Sequence, residues 1–285
     1  GNYFEDMGVG TCAGEGCITT IEVALGRTNG ANVTTVLGCV DRKCKSADTV
    51  SAASVAVTAD AVVLAMGIDG GIEGEGHDRM DIRFPGEQTT LIDAVLNATA
   101  KRGTPVVMLL FNGGNLAIEQ YTSARLALVE CWYPGPMGAQ AVAEALYGVT
   151  NRWGKLPVTM YTYAFTQASD FVNLNMSDYP GRSYKYLAPD AAFSSYGFGF
   201  GLSLTTFSLS QPHRMPLSIK GALDRVQMVV SVHNTGPRDG DEVVFLFHNA
   251  SAAVAGWNSA DPSPHMQLVG YERVAVPMGA VVDVA

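Results

Sequence analysis

The chain has 285 residues, 47% of them hydrophobic and 16% charged, with a formal net charge of −9. That length holds one large domain or two smaller ones, and the composition is that of a globular chain rather than a disordered one. The acidic balance argues against a nucleic-acid partner, whose phosphates demand a basic face, and no apolar run approaches the roughly 20 residues of a membrane-spanning helix.

In chain order, the sequence begins at Gly1 with neither an initiator Met nor a leader-like segment. The expectation is a mature, cleaved or fragmentary polypeptide. Residues 1–49 lack clear periodicity and read as a connector. From residue 50 the pattern alternates. "SAASVAVTA" is helix-like, "DAVVLAMG" reads as a strand, and "EQTTLIDAVLNATAKR" reads as an amphipathic helix opening after Pro85-Gly86. "TPVVMLLF" and "ARLALVECW" are further strands, and "GAQAVAEALYG" is another helix. Apolar strands alternating with helices predict an α/β fold: a mostly parallel sheet with helices on both faces, over about 50–160. Residues 161–203, rich in Tyr, Phe, Ser and Gly, read as an ordered loop region that closes the domain 50–203. In 204–285, "VQMVVSVHNTG", "DEVVFLFHN" and "HMQLVGYERVAVP" read as strands separated by turns. They predict an immunoglobulin-like β-sandwich, incomplete because about 80 residues fall short of the roughly 100 of a whole one.

Four of the five cysteines, Cys12, Cys17, Cys39 and Cys44, lie in the polar stretches "CAGEGC" and "CVDRKC". With no His nearby, disulfides are favoured over a zinc site, and no metal is expected; the pairing is open. Cys131, in the apolar run "LALVEC", reads as a buried free thiol. Four N-x-S/T sequons, at Asn32, Asn97, Asn175 and Asn249, join the cysteines in pointing to a secreted, lysosomal or vacuolar route with glycosylation.

The stretch "GIDGGIEGEGHDRMDIRFPG" (67–86) sets five carboxylates, Asp69, Glu73, Glu75, Asp78 and Asp81, among six glycines at the end of a predicted buried strand. In parallel α/β sheets, functional loops gather beyond the carboxyl ends of the strands. "FNGGN" (111–115) and "WYPGPMG" (132–138) are the other loops of this kind. Phosphate binding is disfavoured, because "GGIEGEG" is no dinucleotide or Walker loop and its carboxylates would repel an anion. Three readings stay open: a hard-cation site, although the spacing fits no EF-hand; a solvated acidic loop with ion pairs such as Asp78 with Arg79 or Arg83; and a carboxyl for general acid/base work.

"DAVVLAMGIDGGIEGEGHDRMDIRFPGEQTTLI" resembles the C-terminal α/β domain of glycoside hydrolase family 3, most strongly that of its plant-type β-xylosidases and arabinofuranosidase relatives. "WYPGPMGAQAVAEALYGVTNRWGKLPVTMY", "YPGRSYKY" and "YGFGFGLSLTTFS" resemble the segments that follow, and "VHNTGPRDGDEVVFLF" and "QLVGYERV" the strands of the family's fibronectin type III-like domain. "GNYFED" and the paired cysteines match the stretch after its barrel, so the resemblance spans nearly the whole chain. It implies a retaining β-glycosidase with two carboxyl groups about 5–5.5 Å apart and no cofactor. The nucleophile is an Asp of an N-terminal (β/α)₈ barrel; the acid/base is a Glu on a loop of the α/β domain. The matching residue here is Glu73, with Glu75 as the rival. Asp69, His77, Asp78 and Arg79 match positions near the sugar, against structural roles as a turn residue (Asp69) and as ion-pairing loop anchors.

A barrel takes roughly 250 residues, and only residues 1–49 precede the α/β region here. The resemblance therefore implies a partner polypeptide or segment bearing the barrel and the nucleophile, with an oligosaccharide, most simply a β-xyloside, as substrate. The chain alone is expected to be inactive. The alternative is a non-catalytic remnant serving in carbohydrate binding or assembly. A possible oligomer is left open.

Overall fold

The computed structural model describes residues 18–122, 125–187, 192–214, 227–249 and 262–285. These fall into two compact units. The first takes the described residues within Gly1–Glu144, Met160–Leu174 and Pro189–Tyr196, the second those within Ala145–Thr159, Asn175–Ala188 and Gly197–Ala285.

The first unit is built on a parallel sheet in the order β1-β2-β3: β1 (Val62–Gly67), β2 (Val106–Phe111) and β3 (Leu126–Glu130). These are three of the predicted strands. Val62 pairs with Val106 and Val106 with Leu126, so the strands run in step and end together at Gly67, Phe111 and Glu130. The three loops that follow therefore leave from one edge of the sheet. Met108, Leu109 and Leu110 of the central strand are essentially inaccessible to solvent.

Helices α2 (Thr49–Thr58) and α3 (Gln88–Ala100) pack against each other, and Ile92 and Val95 of α3 are buried. Asp48 caps α2 by accepting from the Ser51 N–H at 3.0 Å, which satisfies one of the free donors of the first turn. Gln88, at the start of α3, is buried and clamps the end of β1: its Nε2 donates to Gly67 O and its Oε1 accepts from Gly67 N. Gly67 has φ +147°, and a Cβ there would stand 1.9 Å from Phe111 O, so only glycine lets the two strand ends approach. Strand β2 passes to β3 through a loop with one 3₁₀ turn (Glu119–Tyr121) rather than a helix, and α4 (Gly138–Leu146) follows β3.

Two stretches are more ordered than their patterns suggested. Within 1–49, α1 (Ile21–Asn29) forms, capped by Thr20 and closed by Gly30 at φ +63°. Only Ala24 and Leu25 of it are buried, too few to mark a helical period. At the start of and within 161–203, β4 (Met160–Tyr161) pairs antiparallel with β5 (Ser194–Tyr196), and short helices α5 (Tyr163–Ala168) and α6 (Ser183–Tyr186) form.

The second unit carries antiparallel strands: β6 (Phe207–Leu209), β7 (His213–Arg214), β8 (Met228–Asn234), β9 (Gly240–His248), β10 (Gln267–Val276) and β11 (Val281–Val284), of which β8, β9 and β10 fall in the three predicted segments. β9 and β10 form one sheet; β11, β8 and β6, with β7 paired to β8, form the other. Val232, Val276 and Val284 form a buried cluster with Phe207, Val244, Val274 and Val282, so side chains of both sheets share one core. Buried Asn234 ties the turns together: its amide donates to Val276 O and Arg238 O, and its Oδ1 accepts from the Thr205 hydroxyl.

Cys39 and Cys44 form a disulfide. Cys12 and Cys17 lie outside the described residues. Cys131 is a free thiol, partly rather than fully buried, with its pKa pushed up to about 12 by burial first and then by the neighbouring Glu130. No helix among the described residues is long and apolar enough to cross a membrane.

Candidate active site

All three glycine-rich loops start at the carboxyl edge of the parallel sheet. The acidic loop leaves β1 through Ile68, whose N–H donates to Phe111 O at 2.8 Å. Asp69 then makes the turn. Its Oδ1 accepts from Gly71 N at 2.9 Å, and its carbonyl accepts from the N–H groups of Ile72 and Glu73. Its other carboxyl oxygen faces exposed Arg42 at 3.8 Å. Gly74 and His77 exchange both backbone hydrogen bonds, closing a tight hairpin with Glu75 at its tip. The side chains of Glu75, His77 and Asp78 are exposed.

Glu73 lies inside this loop rather than on its tip. Its side chain is 28% exposed, and Oε2 accepts from Arg79 Nε at 2.9 Å. Arg79 is 7% exposed and all three of its nitrogens are engaged: Nη1 donates to Asp81 O at 2.9 Å and Nη2 to Asn115 O. Asn115 is in turn fixed to Tyr161 of β4 through both its Nδ2 and its Oδ1. Arg79 thus links the acidic loop to "FNGGN" and to the β4 ribbon. Asp81 turns outward to a bidentate pair with Arg83, which holds its carboxyl below the usual range, and Arg83 stacks over Tyr163 at 4.4 Å.

The second loop supplies the floor. A Cβ on Gly114 would stand 1.9 Å from Glu73 Oε1, and one on Gly113 would stand 2.7 Å from Tyr133 Cε2. The glutamate carboxyl therefore rests on bare backbone, with the Tyr133 ring over the neighbouring glycine. The Tyr133 hydroxyl is buried and has no hydrogen-bond partner among the described residues. Its pKa is raised, first by burial and then by the Glu73 and Asp69 carboxylates, while the Arg79 guanidinium pulls the other way.

Beneath the floor lies a group that sequence reasoning missed. Glu130, the last residue of β3, accepts from Trp132 N at 3.1 Å and from Asn112 Nδ2 at 3.4 Å, and burial raises its pKa to about 7 against these bonds. Asn112 is fully buried; the same Nδ2 donates to Gly114 O at 3.0 Å, and its Oδ1 is unpartnered among the described residues. The available signal was a lone carboxylate in the apolar run "LALVEC". Among the described residues no cluster of His, Cys, Asp and Glu is arranged to hold a metal ion.

This edge, beyond the carboxyl ends of a parallel α/β sheet, is where such sheets bind their ligands, and it is the candidate site here. Comparison with known proteins specifies it further. Residues 6–204 match the model of the glycosyl hydrolase family 3 C-terminal domain, and the chain belongs to that family. β-D-xylosidase 3 of Arabidopsis thaliana is 34% identical over 84% of this chain and 33% of its own length; β-D-xylosidase 1 of the same plant is 31% identical over 95% and 38%. The chain thus spans about a third of the curated relatives it matches. Among solved structures, a family 3 exo-β-xylosidase in complex with a xylobiose aziridine probe aligns with a TM-score of 0.73 at 26% identity, covering 93% of this chain and 36% of that one. A β-glucosidase from Streptomyces venezuelae in complex with D-glucose aligns at 0.67 and 29% identity, covering 83% and 29%.

Proposed function

We propose that this chain supplies the acid/base loop of a retaining β-glycosidase acting on β-xylosides, and that a separate segment bearing the family's (β/α)₈ barrel contributes the nucleophile. Glu73 protonates the glycosidic oxygen as the nucleophile attacks the anomeric carbon; its carboxylate then takes a proton from the water that cleaves the glycosyl-enzyme. The seat of Glu73 carries this reading. One carboxyl oxygen is tethered by Arg79 while the other lies over Gly114, in a family whose relatives include β-xylosidases. Exposed His77 and Asp78, beside the hairpin, are the loop's side chains within easiest reach of a sugar. Residues 204–285 form the fibronectin type III-like domain in this proposal.

In the particle that pairs the chain with its barrel, Glu73→Ala should slow hydrolysis of poorly activated xylosides on the order of 10²–10⁴-fold. The loss should be smaller for leaving groups that need no proton, with partial rescue by azide, and Glu75→Ala should do less. An active particle indifferent to Glu73→Ala would refute the assignment.

The Cys39–Cys44 disulfide and the exposed sequon residues Asn32, Asn97, Asn175 and Asn249 support a secretory, glycosylating route.

A further inference from the structure

Glu130 has no role in the chemistry above, yet it touches both of the other glycine-rich loops, one of them the floor under Glu73. Through Oε1 it accepts from the N–H of Trp132, a non-glycine residue at φ +52°, in the left-handed region that such residues rarely adopt. That turn directs the next residue, Tyr133, over Gly113. Through Oε2 it accepts from Asn112, and the same amide nitrogen holds the carbonyl of Gly114, on which Glu73 rests. Asn112 is fully buried and its Oδ1 has no partner among the described residues, an arrangement that opposes folding. It is placed for its donors, not for its acceptor.

We propose that Glu130 is a positioning residue for the acid/base loop: one partly buried carboxyl anchors "FNGGN" and "WYPGPMG" together and so fixes the glycine floor beneath Glu73. Its catalytic consequence rests on the reading of Glu73 given above. A carboxylate suits the task because it accepts from two donors at once, and charge-assisted bonds are about twice as strong as neutral ones. Glutamine cannot replace it. Whichever way its amide turns, either Trp132 N–H or Asn112 Nδ2–H faces another donor. Burial keeps the pKa of Glu130 near 7, and the titratable group beside it, Cys131, is neutral there with its pKa pushed up to about 12.

The test is Glu130→Gln in the full chain, within the particle that carries the barrel, read in two ways. Amide exchange at pH 8, where the carboxyl is ionised, should quicken about tenfold or more at 112–115 and 132–133, and also at 69–77, which Glu130 does not touch; β1 and β2 should keep their protection. On poorly activated xylosides kcat should fall about 10- to 100-fold with KM within about twofold, and less on leaving groups that need no proton. Unchanged exchange at 69–77 overturns the anchor, whatever the activity does. Quickened exchange at 69–77 with undiminished kcat leaves the anchor standing and overturns the acid/base reading of Glu73. Should Glu130→Gln fail to fold, Asn112→Ala cuts the arm to Gly114 alone: quickened exchange at 113–114 and 69–77 supports the anchor, and unchanged exchange there overturns it.

Discussion

Glu130 also sets a pH dependence on the stability of the parallel-sheet unit. Its pKa is about 7 in the folded chain, against an ordinary value of 4.5. A carboxyl whose pKa is raised by folding makes the folded state bind the extra proton between those two values. Its contribution is fully present below about pH 4.5 and is lost as pH rises to 7. The lost stability is about 1.36 kcal/mol for each pH unit between 4.5 and 7, or about 3 kcal/mol. Cys131 stays neutral over that range, so the neighbouring thiol adds nothing. The assay is native-state exchange of the slowest β2 amides, Leu109 and Leu110, in the wild type and in Glu130→Gln from pH 4.5 to 8. Other titrating groups act equally in both proteins and cancel in the difference. The wild type should lose about 3 kcal/mol relative to the variant across that window, most steeply between pH 5 and 7. A difference that stays flat, or that grows in favour of the wild type as pH rises, would refute the account of Glu130 as a desolvated carboxyl.

Gly114→Ala should displace the Glu73 carboxyl, since the new Cβ would otherwise stand 1.9 Å from Oε1. Because that obstacle is the end of a side chain, stability should change by less than about 1 kcal/mol while kcat falls on the order of 10²-fold; unaltered kcat would show that the floor is not used. Peptide mapping of the native chain should find Cys39 joined to Cys44 and sugar mass on at least one of Asn32, Asn97, Asn175 and Asn249; free thiols at both cysteines with no added sugar would refute the secretory route.

Those parts of the fold whose cause is local were legible in the sequence. "DAVVLAMG" and "TPVVMLLF" are apolar because they are sheet strands, and α3 announces itself by its apolar spacing after Pro85-Gly86. Helix α1 and the β4–β5 ribbon were not legible. The first buries too little to write a period, and the second pairs two- and three-residue strands more than thirty positions apart. The site divides along the same line. The glycines and carboxylates of 67–86 mark a loop built for close approach, and family resemblance singled out Glu73. The tether by Arg79, the Gly114 floor and the Glu130 anchor depend on register: Leu110 pairs with Glu130, and two residues past Leu110 the chain places Asn112 within reach of that carboxyl.

That dependence on register explains why a charge is tolerated at the end of β3. A partly buried, desolvated carboxyl opposes folding once ionised, and a well-packed apolar residue at position 130 would avoid the penalty. Such a residue would leave Trp132 N–H without its acceptor in a left-handed turn and would free one contact of the Asn112 amide. The turn over Gly113 and the floor at Gly114 would then be held by Asn112 and Tyr133 alone. On the proposed reading of Glu73, a loop that carries a carboxyl to a substrate gains nothing from mobility at its root, because misplacement by about 1 Å can cost on the order of 10²-fold in rate. The energetic cost of Glu130 is therefore best understood as falling on global stability, while its benefit lies in the geometry of the two loops beside Glu73.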